Sequence, residues 1–353
     1  MKVKLLLTNS ILTTCLLSVS LFINAQKETE VTCVAFYNLE NLFDTLVDPN
    51  PDLILQEDFT PLGQKQWNSP KYKEKMGNMS KVISEIGTEM TPDGPAILGV
   101  CEIENKKVLE DLVKEESIKN RDYQIVHYDS PDKRGIDVGF LYQPKYFKLE
   151  SSKSYTLKIE GNDNFFSRDQ LLVTGALLGE RVHFIVCHWP SRRGGEKKSS
   201  PKRQAAGALA LGIMDSVRKA EPGAKIIMMG DLNDDPKSPS VNKVMHPKTI
   251  KSEVSEGDLF NPMMALYKKG IGTLGYRGAW NLFDQMIITS DLIDNSNEFK
   301  TISYYNAKIF NKDYLINDEG NFKGYPYRTY GGPNYLGGYS DHFPVYLFLV
   351  RAK

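Results

Sequence analysis

The chain has 353 residues, a formal net charge of +0 and about one charged residue in four. That length is enough to bury one large core or two small ones. The charge balance excludes a global basic field for holding a polyanion, so any nucleic-acid binding must rely on a local patch.

Lys2 and Lys4 precede an apolar stretch from Leu5 to Ile23, and Ile23-Asn24-Ala25 offers a cleavage site after Ala25. This reads as a secretory signal peptide over residues 1–25, placing the mature chain, 26–353, outside the cell or in the periplasm as a single domain. Cys15 follows Thr14, a poor residue ahead of a lipid-attachment cysteine, so lipid anchoring there is not expected. No other run is long and apolar enough to form a transmembrane helix. Cys33, Cys101 and Cys187 would remain, an odd number set in apolar runs, so they read as unpaired core residues. Nothing in the sequence sets an oligomeric state.

In chain order, Val31–Tyr37 reads as a strand and 38–66 as a polar loop. Met76, Met79, Val82, Ile83 and Ile86 recur at helical spacing over 71–86. Pro95–Ile103 is a buried strand, 105–118 an amphipathic helix, and 123–127 and 136–142 a strand pair. Strands follow over 155–159, 170–178 and 181–188, then a helix over 201–217 and a strand over 225–229. A short helix is expected over 258–267, and strands over 282–289, 301–309 and 343–350, the last preceded by a long Gly/Tyr/Pro loop. Strands in groups with helices between them favour an α+β fold: two packed, mainly antiparallel β-sheets in a sandwich with helices outside.

Polar residues stand at the ends of these apolar runs. Asn38 follows Val34-Ala35-Phe36-Tyr37, and Glu102 follows Ile97-Leu98-Gly99-Val100-Cys101, with Glu104 on the same face by alternation. His188 follows Val182–Cys187; Asp231 and Asn233 follow Ile226–Met229; Asp284 lies in an apolar run; Asp341-His342 opens the last strand. Carboxylates suit a hard divalent ion, an amide suits a phosphate oxygen, and His titrates near neutrality. The combination points to metal-assisted hydrolysis of a phosphate ester. The segment Ser191–Arg203 adds six basic residues against one acidic, just after His188, with Arg192 and Arg193 as candidate phosphate contacts.

The ordered series Asn38, Glu102, His188, Asp231-x-Asn233, Asp284, Asp341-His342 resembles the endonuclease/exonuclease/phosphatase superfamily, with its pancreatic-deoxyribonuclease-like four-layer sandwich. Asn38-Leu39-Glu40-Asn41-Leu42-Phe43-Asp44 and Arg134-Gly135-Ile136-Asp137-Val138 look like a secreted bacterial branch. The resemblance implies that Glu102, Asp341 and Asn38 hold a divalent metal, Mg²⁺ foremost, with Mn²⁺ or Ca²⁺ possible. It implies that Asp231 orients or deprotonates the attacking water and that Asn233 binds a phosphate oxygen. Asp284 would orient His342, which stabilises the pentacoordinate phosphate, and His188 would contact the phosphate or protonate the leaving oxygen. Asp137 stands where some family nucleases pair an acid with the His188 position. The expected activity is a secreted, metal-dependent phosphodiesterase, foremost a nuclease of low sequence specificity. Alternatives are a phosphatase or sphingomyelinase-like lipid phosphodiesterase on the same fold, or a non-enzymatic binding module.

Overall fold

The computed structural model describes residues 28–353 except Gln56, so the expected signal peptide, its cleavage site and Cys15 lie outside the described residues. In chain order the strands are β1 (Thr29–Leu42), β2 (Pro95–Ile103), β3 (Gln124–His127), β4 (Asp137–Tyr142), β5 (Phe147–Tyr155), β6 (Gln170–Leu177), β7 (Glu180–His188), β8 (Ile226–Asp231), β9 (Leu259–Phe260), β10 (Leu274–Tyr276), β11 (Ala279–Asn281), β12 (Asp284–Thr289), β13 (Ser303–Ile309), β14 (Tyr330–Gly331), β15 (Asn334–Tyr335) and β16 (Val345–Ala352). The α-helices are α1 (Ser69–Glu85), α2 (Lys106–Leu112), α3 (Glu196–Ala220) and α4 (Met263–Lys268).

Two six-stranded sheets, ordered β13-β16-β1-β2-β4-β3 and β5-β6-β7-β8-β12-β9, pack face to face. Each has one parallel pair at its centre, β1 with β2 and β7 with β8, and is otherwise antiparallel. The central strands are apolar at nearly every position because both faces are covered. In β1, Val34 and Phe36 face the opposing sheet, while Cys33, Ala35 and Tyr37 pack under α1 and α2. In β8, Ile227 and Met229 face inward, and Ile226 and Met228 pack against α3. The order of layers is helix, sheet, sheet, helix. Cys33, Cys101 and Cys187 are free and buried.

Several elements differ from expectation. The strand expected over 155–159 lies earlier, at Phe147–Tyr155. It is an edge strand whose Ser and Lys residues face solvent, which hides it from an apolar-run criterion. The helix expected over 258–267 is shorter, Met263–Lys268, because Leu259–Phe260 pairs with β12 and Pro262 then starts the turn into the helix. α3 begins at Glu196, so Pro201 lies inside it and most of the basic segment is helical. Among the described residues no helix is long and apolar enough to cross a membrane.

Candidate active site

The chain direction explains the site. β1, β2, β7 and β8 end at the same edge of the sandwich, and the antiparallel β12 and β16 start there. Asn38, Glu102, His188 and Asp231 therefore sit at or just inside strand ends, Asp284 at a strand start, and Asp341-His342 just before one. Register tightens the set: His188 and Asp284 are the cross-strand partners of Asp231 on its two sides. Gly230 makes the parallel pair possible. A Cβ there would lie 2.3 Å from the carbonyl oxygen of Cys187, nearer than any real side chain sits.

Asp231 is the hub. Its Oδ2 accepts from Asn38 Nδ2 at 3.1 Å and lies 3.6 Å from His188 Nε2 and 4.0 Å from His342 Nε2. Its Oδ1 accepts the Asn233 amide at 2.8 Å. Burial pushes the Asp231 carboxyl up to about 7, with His342 opposing and Asp284 reinforcing the rise. The backbone is not extended from Asp231 to Asn233, so the two side chains do not share a strand face. Asn233 has φ +49°, and the turn instead wraps its backbone amide onto Asp231. One side-chain N–H of Asn233 goes to the Trp189 carbonyl at 3.0 Å, and its second N–H remains to donate.

His342 Nδ1 meets Asp284 Oδ2 at 2.6 Å. Burial alone would lower the pKa of this ring. The Asp284 and Asp231 carboxylates more than offset that and hold it well above the usual histidine value. His188 is the opposite case. Burial, then the nearby Arg168 and Arg134 guanidinium groups, push it well below the usual value, so the ring is neutral. Its Nδ1 is buried without a hydrogen-bond partner among the described residues. The two histidines thus flank one carboxylate in opposite charge states. His183 is bound instead to Thr174 and Glu221, and His246 to its own helical turn.

Glu102 rather than Glu104 faces this cleft. A register shift between Cys101 and Ile103, with Glu102 at φ +59°, breaks the alternation that would have put both carboxylates on one side. Glu102 Oε2 accepts the Asn41 amide at 3.0 Å, and Oε1 lies 3.8 Å from His188 and 3.6 Å from Arg134. Glu104 accepts the Asp44 amide at 2.7 Å and so fixes the following loop. Asp341 is one-quarter exposed, 3.8 Å from Arg328 and 4.0 Å from His342. Among the described residues, Glu102 Oε1 and both Asp341 oxygens have only these longer contacts. They are hard oxygen donors turned to the cleft, as a divalent ion of the Mg²⁺ class requires. Asn38 Oδ1 already accepts the Glu40 amide at 2.9 Å and keeps one lone pair. Asp231, Asp284 and His342 also lie within 4.8 Å of one another, a second grouping able to hold an ion.

Two further residues named from the sequence have partners of their own. Arg192 is taken up by Asp234 and Asp235, at 3.2 Å each, and lies over the Phe283 ring, which leaves Arg193 as the exposed cation of the pair. Asp137 does not meet His188; it binds His127 Nε2 at 2.9 Å and the Ser130 amide.

Other residues around the cleft carry only faint sequence signals. Lys75 of α1 is fully buried, donating to Thr329 Oγ1 at 2.5 Å and the Tyr339 carbonyl at 3.3 Å. Burial lowers its pKa, opposed by Glu40, Asp341 and Glu102. Glu40 accepts the Thr329 amide at 2.7 Å and is raised to about 7, by burial and then by Asp341. Arg134 and Glu40 lie inside the motif segments at 134–138 and 38–44; Lys75 looks in sequence like one more surface lysine on an amphipathic helix.

A fold of two mixed six-stranded sheets, with acids, amides and histidines gathered at one edge, defines a class, and comparison with known proteins agrees. The sequence profile of the Endonuclease/Exonuclease/phosphatase family matches residues 33–351, and the chain belongs to that family. Its fold is similar to an endonuclease/exonuclease/phosphatase family protein of Bacteroides thetaiotaomicron, at TM-score 0.54 and 16% identity over 92% of this chain and 97% of that one. It is also similar to a mannosyl-6-phosphatase of the same organism, at TM-score 0.51 and 16% identity over 90% and 99% of the two chains. A third likeness is D. rerio TDP2 complexed with single strand DNA product, at TM-score 0.50 and 13% identity over 90% and 98%. No curated protein matches the chain.

Proposed function

We propose that the protein is a divalent-metal-dependent phosphodiesterase acting on nucleic acid with low sequence specificity. The observation that carries this is the Asp231 carboxylate, held between a neutral His188, a cationic His342 and the Asn38 amide at one strand edge. Asp231, raised to about 7, is suited to take a proton from water near neutral pH. His342, kept cationic by Asp284, stabilises negative charge that develops on the phosphate. The second Asn233 N–H donates to a phosphate oxygen, and the neutral His188 lies where it can exchange a proton with a bound oxygen. Glu102, Asp341 and the Asn38 amide oxygen would hold Mg²⁺, with Mn²⁺ or Ca²⁺ as substitutes, and such an ion offsets charge on the phosphate oxygens. Arg193 supplies an exposed positive charge beside this centre. The Lys2/Lys4 and Leu5–Ile23 pattern supports export of the protein from the cell.

The test is a screen of purified protein against plasmid DNA, RNA, phospholipid vesicles and small phosphomonoesters, with and without chelator. Nucleic acid should be cut only when Mg²⁺ or Mn²⁺ is present, and Glu102→Gln should need a higher metal concentration for the same rate. Undiminished cleavage in excess chelator would remove the metal from the reading. Turnover of phosphomonoesters alone would replace the phosphodiesterase with a phosphatase.

A further inference from the structure

We infer that the cleft beside Arg134 receives a second phosphate group of the substrate, next to the one that is cleaved. This rests on the phosphodiesterase reading and narrows its substrate class. The cleft encloses about 320 Å³ and is walled by Lys133, Arg134, Arg168, Arg193 and Lys202, with Asp132 its one acid. Asp132 is already engaged, 3.1 Å from Arg168 and 3.7 Å from Arg134. Five cations around one paired carboxylate leave a surplus of positive charge that an anionic guest would neutralise.

A second observation is independent of charge. Arg134 Nη2, Arg168 Nε and Ser167 Oγ belong to residues of the cleft wall, are buried, and have no hydrogen-bond partner among the described residues. Arg168 and Ser167 are only 6% and 3% exposed. Buried donors without acceptors are uncommon in a folded chain, and water or the oxygens of a guest must meet them. Two guanidinium groups and a hydroxyl match the oxygens of a phosphate. The cleft also adjoins the catalytic centre: Arg134 lies 3.6 Å from Glu102, and Arg168 donates at 2.5 Å to the carbonyl of Trp189, the residue after His188. A ligand spanning both places carries two phosphates in sequence. Phe166, 43% exposed with the Lys133 ammonium 5.2 Å over its ring, gives the cleft a flat apolar flank. The next phosphate of a nucleic-acid strand and the second phosphate of a small bisphosphorylated molecule share this chemistry.

The experiment uses the doubly substituted chain Lys133→Gln/Lys202→Gln. Both side chains line the cleft and are recorded only in ring contacts, with Phe166 and Phe165, so the fold should be retained. Binding of a labelled single-stranded oligonucleotide is measured in EDTA across a salt series. The slope of log affinity against log salt should become shallower by about 0.7 for every phosphate that is no longer neutralised, with affinity at low salt roughly ten-fold weaker. With metal added, kcat/KM should fall roughly ten-fold more on the oligonucleotide than on bis-p-nitrophenyl phosphate, which has no second anion. Competition by a nucleoside 3′,5′-bisphosphate that the substitutions abolish would assign the cleft to small bisphosphates. Its failure to compete, with oligonucleotide binding still lysine-dependent, would assign it to a strand. Unchanged slope and affinity, or equal losses on both substrates, would overturn the inference. A wild-type protein that cleaves neither substrate would sink the phosphodiesterase reading, while the EDTA titrations would still decide what the cleft binds.

Discussion

At the scale of single residues, the candidate centre places unlike environments around one carboxylate. Removing either histidine should leave a folded protein with kcat lowered by about 10²–10⁴, the loss typical of a general acid–base group, and a smaller change in KM. His342→Ala and His188→Ala, assayed beside His183→Ala and His246→Ala, test this; near-normal turnover by either of the first two would refute its role. The His342–Asp284 pair also has a stability signature. The folded pKa of His342 lies above the value of about 6.5 expected for the unfolded chain. Its contribution is therefore fully present below about pH 6.5 and is lost as pH rises through the raised folded value. Melting temperatures of the wild type and Asp284→Asn should differ most in mild acid and converge in base. A gap that widens with pH would mean that the ring is not cationic in the folded state.

At the scale of elements, close strand approach and a helical strut hold these residues in place. Gly230→Ala would drive a methyl group into the Cys187 backbone of the neighbouring parallel strand. We expect about 1–3 kcal/mol of destabilisation, read by denaturant titration, together with reduced activity, because Asp231 and His188 are the next cross-strand pair. α1 braces the loop that carries Asp341-His342. Lys75 bonds to Thr329 and Tyr339, Asn78 donates to the Gly337 and Gly338 carbonyls at 3.1 and 3.2 Å, and Glu74 accepts from Tyr335 at 2.9 Å. Strands such as Pro95–Ile103 are legible in the sequence because both of their faces are covered, which leaves continuous apolar runs ending abruptly in polar residues. The register of Glu102 is not legible, since one bulge reverses which of two nearby carboxylates faces the cleft. Nor can spacing show that Arg192 is spent on Asp234 and Asp235, for an arginine looks the same in sequence whether its partner is a phosphate or a carboxylate from another segment. The β10–β11 hairpin is invisible to pattern because strands of three residues carry too little periodicity.

At the scale of the whole molecule, the carboxylates that would hold an ion come from a sheet strand and a distant loop, so binding should reinforce the fold. A ligand present at 100 times its Kd stabilises the native state by about 2.7 kcal/mol, and Mg²⁺ should raise the melting temperature by roughly a few degrees. Glu102→Gln should blunt that rise, and a melting temperature indifferent to Mg²⁺ would argue against an ion at this edge. The layout of β1 and β16 has one more result. They run antiparallel side by side, with Thr29 opposite Ala352 at one end and Phe36 opposite Val345 at the other, and Lys353 donates to the Glu28 carbonyl at 2.8 Å. Both ends of the described chain therefore leave together. Asn38 lies nine residues along β1 from Thr29, or roughly 30 Å away at the rise of an extended strand. A tag, a fusion partner or a solid support joined directly at Glu28 or at Lys353 would sit on the far side of the body from the cleft and leave its mouth open to polymer. The protein can be immobilised in a fixed orientation through Lys353, and turnover on a long substrate should match that of the free protein.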